Sequence, residues 1–165
     1  MLANPRADRV RTVRALARRQ AREKYGQFLA EGPQSVREAI RHAPSALLDV
    51  YATAEAGQRY AVELAEAVDH RIHVHTVTDE VLAAMVGTDA PQGLLAVCRV
   101  PVPGPDPLGD VLAGEPRLLV LLTNVRDPGN AGTVIRAADA FGADAVLVSE
   151  GSVDVHSPKV VRSSA

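Results

Sequence analysis

The chain has 165 residues, of which 47% are hydrophobic, 23% charged and only 3% aromatic. Its single cysteine, Cys98, excludes an internal disulfide and a cysteine-based zinc site within one chain. The arginine-rich N-terminus lacks the apolar core of a signal peptide and no apolar run approaches membrane-spanning length, so a cytoplasmic protein without a membrane partner is expected.

The net charge of −2 is unevenly spread: residues 1–42 hold 10 Lys+Arg against 4 Asp+Glu, and residues 43–121 hold 4 against 11. A basic segment on an otherwise acidic or neutral body suits a polyanionic partner, because phosphate contacts release counterions. A solvated arginine-rich helix that binds nothing explains the same charge equally well.

Residues 8–24 lack strong breakers, and Val10, Val13, Leu16 and Ala17 recur at helical spacing, which predicts one basic amphipathic helix. Arg14, Arg18 and Arg22 are its candidate RNA contacts. Phe28-Leu29-Ala30 reads as a strand ended by Glu31-Gly32-Pro33, and Val36, Ala39 and Ile40 mark a helix that closes before Pro44. Strands are then predicted over 46–52, 71–77 and 93–100, and helices over 59–68 and 79–86, the last capped by Thr78. His73 and His75 alternate with Ile72 and Val74, and fit an exposed strand face better than a metal site, since no third ligand is evident. Cys98 falls in an apolar strand and is expected to be an inert core residue.

The alternation predicts an α/β fold, and a core of Leu, Val, Ile and Ala suits parallel sheet under helical cover. Residues 1–100 read as a first domain. Five prolines and three glycines between 101 and 116 read as a stiff linker. A strand over 117–123, a helix over 131–141, a strand over 144–148 and a helix start near Ser157 open a second α/β unit over 117–165.

The informative stretch runs from Thr123 to Arg136. An apolar strand enters a turn rich in Asp, Pro, Gly and Asn, then a helix. In parallel sheets such turns lie at the carboxyl edge where ligands gather, and a helix N-terminus favours an anion there. Ala131, Val134, Ile135, Ala138 and Phe141 give the helix an apolar face, while Asn130, Thr133 and Arg136 lie off it. Each residue taken singly has a plainer reading: Asn130 as an N-cap, Arg136 with Asp139 as a surface ion pair, Gly129 and Gly132 as turn residues.

Together they carry more. The pattern Asn124-x-x-Asp127-Pro128-x-Asn130-x-Gly132-x-x-x-Arg136-x-Ala138-Asp139-x-Phe141-Gly142 resembles the first signature motif of the SpoU/TrmH RNA 2′-O-ribose methyltransferases. Asp154-x-x-Ser157-Pro158-Lys159 and the residues to Ala165 resemble the family's next segment. Phe28 to Gly32 with Val36 and Ala39, and Pro91 to Val97, are similar to its substrate-binding domain.

The resemblance implies an N-terminal α/β RNA-binding domain like certain ribosomal proteins, followed by the first part of a SPOUT methyltransferase domain. The trefoil knot and the residues that bind S-adenosylmethionine are then expected beyond Ala165, so that the 165 residues alone would be inactive. It further implies a homodimer through the methyltransferase domain and methyl transfer to a ribose 2′-hydroxyl. Ribosomal RNA is favoured, since the extra N-terminal domain is typical of the family's ribosomal members. The family's active-site asparagine and arginine fall on Asn130 and Arg136. An arginine stays protonated and is a poor base, so Arg136 is expected to clamp a phosphate. Ser157-Pro158 fits an N-cap and first helical position, which puts Lys159, Arg162 and Ser163 on one face as further RNA contacts. The alternative is a non-catalytic RNA-binding module. A dinucleotide-binding oxidoreductase is disfavoured, since Gly129-x-x-Gly132 lacks the required glycine spacing.

Overall fold

A computed structural model describes residues 1–88 and 90–165. The alternating apolar runs of the first hundred residues form a four-stranded sheet of β1 (Gln27–Glu31), β2 (Leu47–Thr53), β3 (His73–Val77) and β4 (Leu94–Arg99), in the order β1-β4-β2-β3. β4 runs antiparallel to β1 and β2, and β2 is parallel to β3.

Both faces of this sheet are buried because each strand alternates between two apolar sets. Val50, Ala52, Ala96 and Cys98 meet α3 (Pro33–His42), α4 (Ala54–Arg59) and α5 (Ala61–Asp69) through Val36, Ile40, Ala56 and Leu64. Leu29, Tyr51, Leu95 and Val97 meet α1 (Asp8–Ala15) and α6 (Asp79–Met85) through Val10, Val13, Leu82 and Met85. Each fully buried Leu, Val or Met contributes roughly 1.5–3 kcal/mol. The Thr53 and Thr78 hydroxyls start α4 and α6 by accepting the Ala56 and Val81 amides at 3.3 Å. Cys98 is buried, and burial pushes its thiol up to about 12.

The single helix expected over residues 8–24 is two. α1 ends at Ala15 and α2 (Arg19–Tyr25) begins after Arg18, whose backbone is extended. No breaker residue causes the interruption. The Arg22 guanidinium folds back and donates to the Leu16 and Ala17 carbonyls at 2.8 and 2.9 Å, satisfying acceptors that the broken helix frees.

The second part of the chain pairs β5 (Leu119–Leu122) with β6 (Ala145–Val148) in parallel, with α8 (Pro128–Ala140) between them in sequence. α9 (Pro158–Ser164) packs on α8 and against β1. The Pro/Gly-rich stretch read as a linker contains a short helix, α7 (Pro107–Ala113), capped by the Asp106 carboxylate on the Gly109 amide at 3.0 Å. The apolar face expected on α8 is only partly covered: Ala131 and Ala138 are buried, while Val134 and Phe141 are exposed. Among the described residues no helix is long and apolar enough to cross a membrane.

Candidate functional site

The motif stretch sits where β5 leaves its sheet. Asn124 turns the chain with a left-handed backbone (φ 52°), and its amide donates to the Ser149 hydroxyl at 3.1 Å. The Val153 amide donates to the Val125 carbonyl at 2.8 Å, so the turn after β5 and the loop after β6 are held together at the carboxyl edge of both strands. The Asp127 carboxylate then accepts the Asn130 amide at 2.7 Å. Asp127 is therefore the N-cap of α8, with Pro128 in the first turn, and the Asn130 side chain is released from that role.

Asn130, Thr133 and Arg136 are all exposed and span an arc of roughly 120° on α8. Arg136 makes no ion pair with Asp139 among the described residues. It lines a groove of about 520 Å³ between α8, α9 and α3, with Gln34, Ser35 and Glu38 on the far wall. Gly132 serves packing rather than the turn. A Cβ there would lie 2.7 Å from both the Ser163 Cβ and the Val160 carbonyl oxygen, so only glycine lets α9 approach α8 this closely.

The candidate RNA contacts divide. Arg14 and Arg18 are exposed, as is Lys159. Arg22 is not: it is 5% exposed, and its Nε and Nη2 donate to Asp154 Oδ2 at 3.0 and 2.6 Å. Arg162 is paired with Glu31, whose other carboxylate oxygen accepts the Gly87 amide at 3.3 Å. The Ser163 hydroxyl is turned onto α8 and its own helix, donating to the Lys159 carbonyl at 2.8 Å. Lys159, Arg162 and Ser163 do share a helical face, but only Lys159 is left open, while Arg162 is turned to Glu31 and Ser163 to α8.

Asp154 is pulled two ways. Burial raises its carboxyl, but the Arg22 guanidinium and the His156 amide outweigh burial and hold it below the usual carboxylate range. His156 is depressed by burial against Phe28, with ring centroids 5.1 Å apart; the Asp154 charge opposes that shift and Arg22 adds to it.

On the histidine strand face, His73 is exposed as expected, whereas His75 is partly covered. His75 Nε2 lies 2.6 Å from Asp49 Oδ1, its ring stacks on Tyr51 at 4.9 Å, and Arg9 lies across it. Burial and the neighbouring Asp49 charge push the Tyr51 phenol up to about 12.

Residues 7–96 match the model of the MRM3-like substrate binding domain, and residues 117–165 match that of the SpoU rRNA Methylase family. The chain belongs to the SpoU family. It is 29% identical over 156 residues to the Bacillus subtilis 23S rRNA (guanosine(2553)-2'-O)-methyltransferase RlmP, a match covering 94% of this chain and 57% of that one. A crystal structure of an rRNA methyltransferase from Sinorhizobium meliloti matches with a TM-score of 0.78 at 25% identity, covering 99% of this chain and 60% of the other. The SpoU methyltransferase AviRb from Streptomyces viridochromogenes, solved with AdoMet, matches with a TM-score of 0.77 at 29% identity, covering 96% and 57%. This SpoU-family chain thus spans little more than half the length of those relatives.

The interactions that sequence reading missed are the Arg22–Asp154 and Glu31–Arg162 pairs. A signal existed: Glu31 ends an apolar strand, and Asp154 and Arg162 both fall inside the family-like segment, where charged residues on packed elements require partners.

Proposed function

We propose that the protein transfers a methyl group from S-adenosylmethionine to a ribose 2′-hydroxyl of RNA, with ribosomal RNA the favoured substrate. The observation that carries this reading is the Asn124–Gly142 motif set at a strand-to-helix turn, with Asp127 as cap and Asn130 and Arg136 left exposed. The names of the relatives, RNA 2'-O-methyltransferases among them, support it.

In this reading residues 1–100 hold the RNA, residues 117–165 belong to the catalytic unit, and residues 101–116 join them. Arg136 clamps a phosphate of the target nucleotide, since its guanidinium stays charged and presents a fork of donors. The Asn130 amide orients the ribose. Arg14, Arg18 and Lys159 contact phosphates elsewhere on the RNA. A cytoplasmic homodimer accords with this activity, and the exposed Leu121 and Phe141 leave apolar surface that a second copy would cover.

S-adenosylmethionine, when bound, supplies an electrophilic methyl group. The groove at Arg136 is walled by Gln34, Glu38 and Asp139, and a hollow of about 810 Å³ is lined by charged groups that include Arg19, Arg22, Glu150 and Asp154. No cofactor contact is assigned to these residues.

The test is methyl incorporation by the intact protein into ribosomal RNA from labelled S-adenosylmethionine, followed by alkaline hydrolysis. An alkali-resistant dinucleotide is expected, because a 2′-O-methyl group blocks cleavage. Label in a base, or none, overturns the reading; tight RNA binding without transfer selects a non-catalytic RNA-binding module.

A further inference from the structure

α9 is held at both ends by charged groups of the four-stranded unit. Asp154, three residues ahead of the Ser157 N-cap, takes two bonds from the buried Arg22. Arg162, in the last turn, pairs with Glu31, whose side chain is 3% exposed. The two pairs are crossed. The four-stranded unit gives the cation of one and the anion of the other, and the second unit gives the reverse.

Crossed polarity makes the contact specific. A slide that exchanged partners would set Arg22 against Arg162, or Glu31 against Asp154, and like charges in a partly buried contact are unfavourable. Separation of the units would take from Arg22 and Glu31 the counter-charges that they meet across the contact. Arg22 also holds the Leu16 and Ala17 carbonyls, so the break between α1 and α2 is set by the same side chain. From α9 the constraint passes directly to the motif helix, because Val160 and Ser163 rest on Gly132, which lies between Asn130 and Arg136.

We propose that Arg22, Glu31, Asp154 and Arg162 are positioning residues: the crossed pairs make α9 a fixed joint between the RNA-binding unit and α8, and thereby set which nucleotide of a bound RNA meets Asn130 and Arg136. The assignment rests on the methyltransferase reading above. It gives Arg22 and Arg162 a role within the protein, in place of the phosphate contacts that their charge suggests. It also makes choice of the target nucleotide a matter of geometry between two rigid units, where a displacement of about 1 Å is enough to lower transfer a hundredfold.

The experiment uses the intact protein with Glu31→Arg, Arg162→Glu and the double exchange. Thermal melting, RNA affinity, kcat and the map of methylated nucleotides are the readouts. Each single variant should bind RNA normally, yet spread methylation to neighbouring nucleotides or lose at least about tenfold in kcat. The double exchange should restore one target and bring kcat back to within about threefold of the parent, as coupling through a contact requires. Single variants that melt normally and modify the same nucleotide at the parental rate would overturn the proposal, as would a folded double exchange no better than the singles. Should the exchanges fail to fold, Arg22→Lys and Asp154→Asn are to be carried with spin labels at Arg41→Cys and Ala140→Cys, exposed positions on the two units, the buried Cys98 remaining unlabelled. A label-to-label distance distribution that broadens in these variants supports the joint, and one as narrow as the parent's refutes it. If the parent itself transfers no methyl group, the methyltransferase reading falls, and the distance measurement alone decides the joint.

Discussion

Gly132 and Ser163 face each other across the α8–α9 contact with no room for a methyl group between them. Alanine in a helix interior is ordinarily favoured over glycine by about 1 kcal/mol. Here the added Cβ would also meet the Val160 carbonyl, and overpacking of a close contact costs roughly 1–3 kcal/mol. Gly132→Ala is therefore expected to destabilise the second unit in spite of its better helix propensity. Denaturant titration checks the sign; a more stable variant would show that the helices can part at little cost.

Asp127 and Asn130 separate cap from function. Asp127→Ala should lose roughly 0.5–2 kcal/mol, as removal of an N-cap does. Asn130→Ala removes no bond that holds α8 and should stay within about 0.5 kcal/mol of the parent. Equal losses in chemical denaturation would mean that Asn130 helps to hold the turn.

The exposed arginines of the N-terminal segment should bind RNA electrostatically. Arg14→Glu with Arg18→Glu should weaken RNA binding and flatten its log–log salt slope by roughly 0.7 for each single-strand phosphate that is no longer neutralised. Because both side chains are exposed, folding should be unaffected. Binding that does not vary with salt in the parent protein would remove the basis for this role.

Acid should act on the joint in two steps. His156 is depressed when folded, chiefly by burial, with Asp154 Oδ1 3.9 Å from its Nδ1 and Arg22 and Phe28 facing it. Its contribution is complete above the unfolded value of about 6.5 and is lost as pH falls from there through the folded value. Asp154, held low by Arg22 against its burial, contributes fully above about 3.9 and loses that contribution as pH falls further. Asp144, lowered by the Leu118 and Arg117 amides, adds to the second step. Melting temperature should thus fall below about pH 6.5 and again below about pH 4. His156→Gln should abolish the first fall and keep the second; an unchanged first fall would place it elsewhere.

Most of the α/β architecture was legible from periodicity and caps. Val50 and Tyr51 point to opposite cores as strand alternation requires, Thr78 caps α6, and Pro158 opens α9. What was not legible depended on distant partners. Nothing between Leu16 and Arg18 breaks a helix; the break exists because Arg22 turns inward to the Leu16 and Ala17 carbonyls and to Asp154, 132 residues away. Likewise the face shared by Lys159, Arg162 and Ser163 follows from helical spacing, but only packing against Glu31 and Gly132 determines that Arg162 and Ser163 turn inward. The strand-to-helix turn that carries the motif was legible, although its cap is Asp127 and not Asn130.

The central claim is that the motif on α8 serves methyl transfer, and Arg136→Ala in the intact protein tests it most directly. Arg136 is exposed, so the variant should fold with a stability within about 0.5 kcal/mol of the parent. Loss of the phosphate clamp should lower 2′-O-methylation of RNA by at least about a hundredfold, the scale of a positioning defect at the reacting centre. A folded Arg136→Ala protein that methylates RNA at the parental rate would contradict the account.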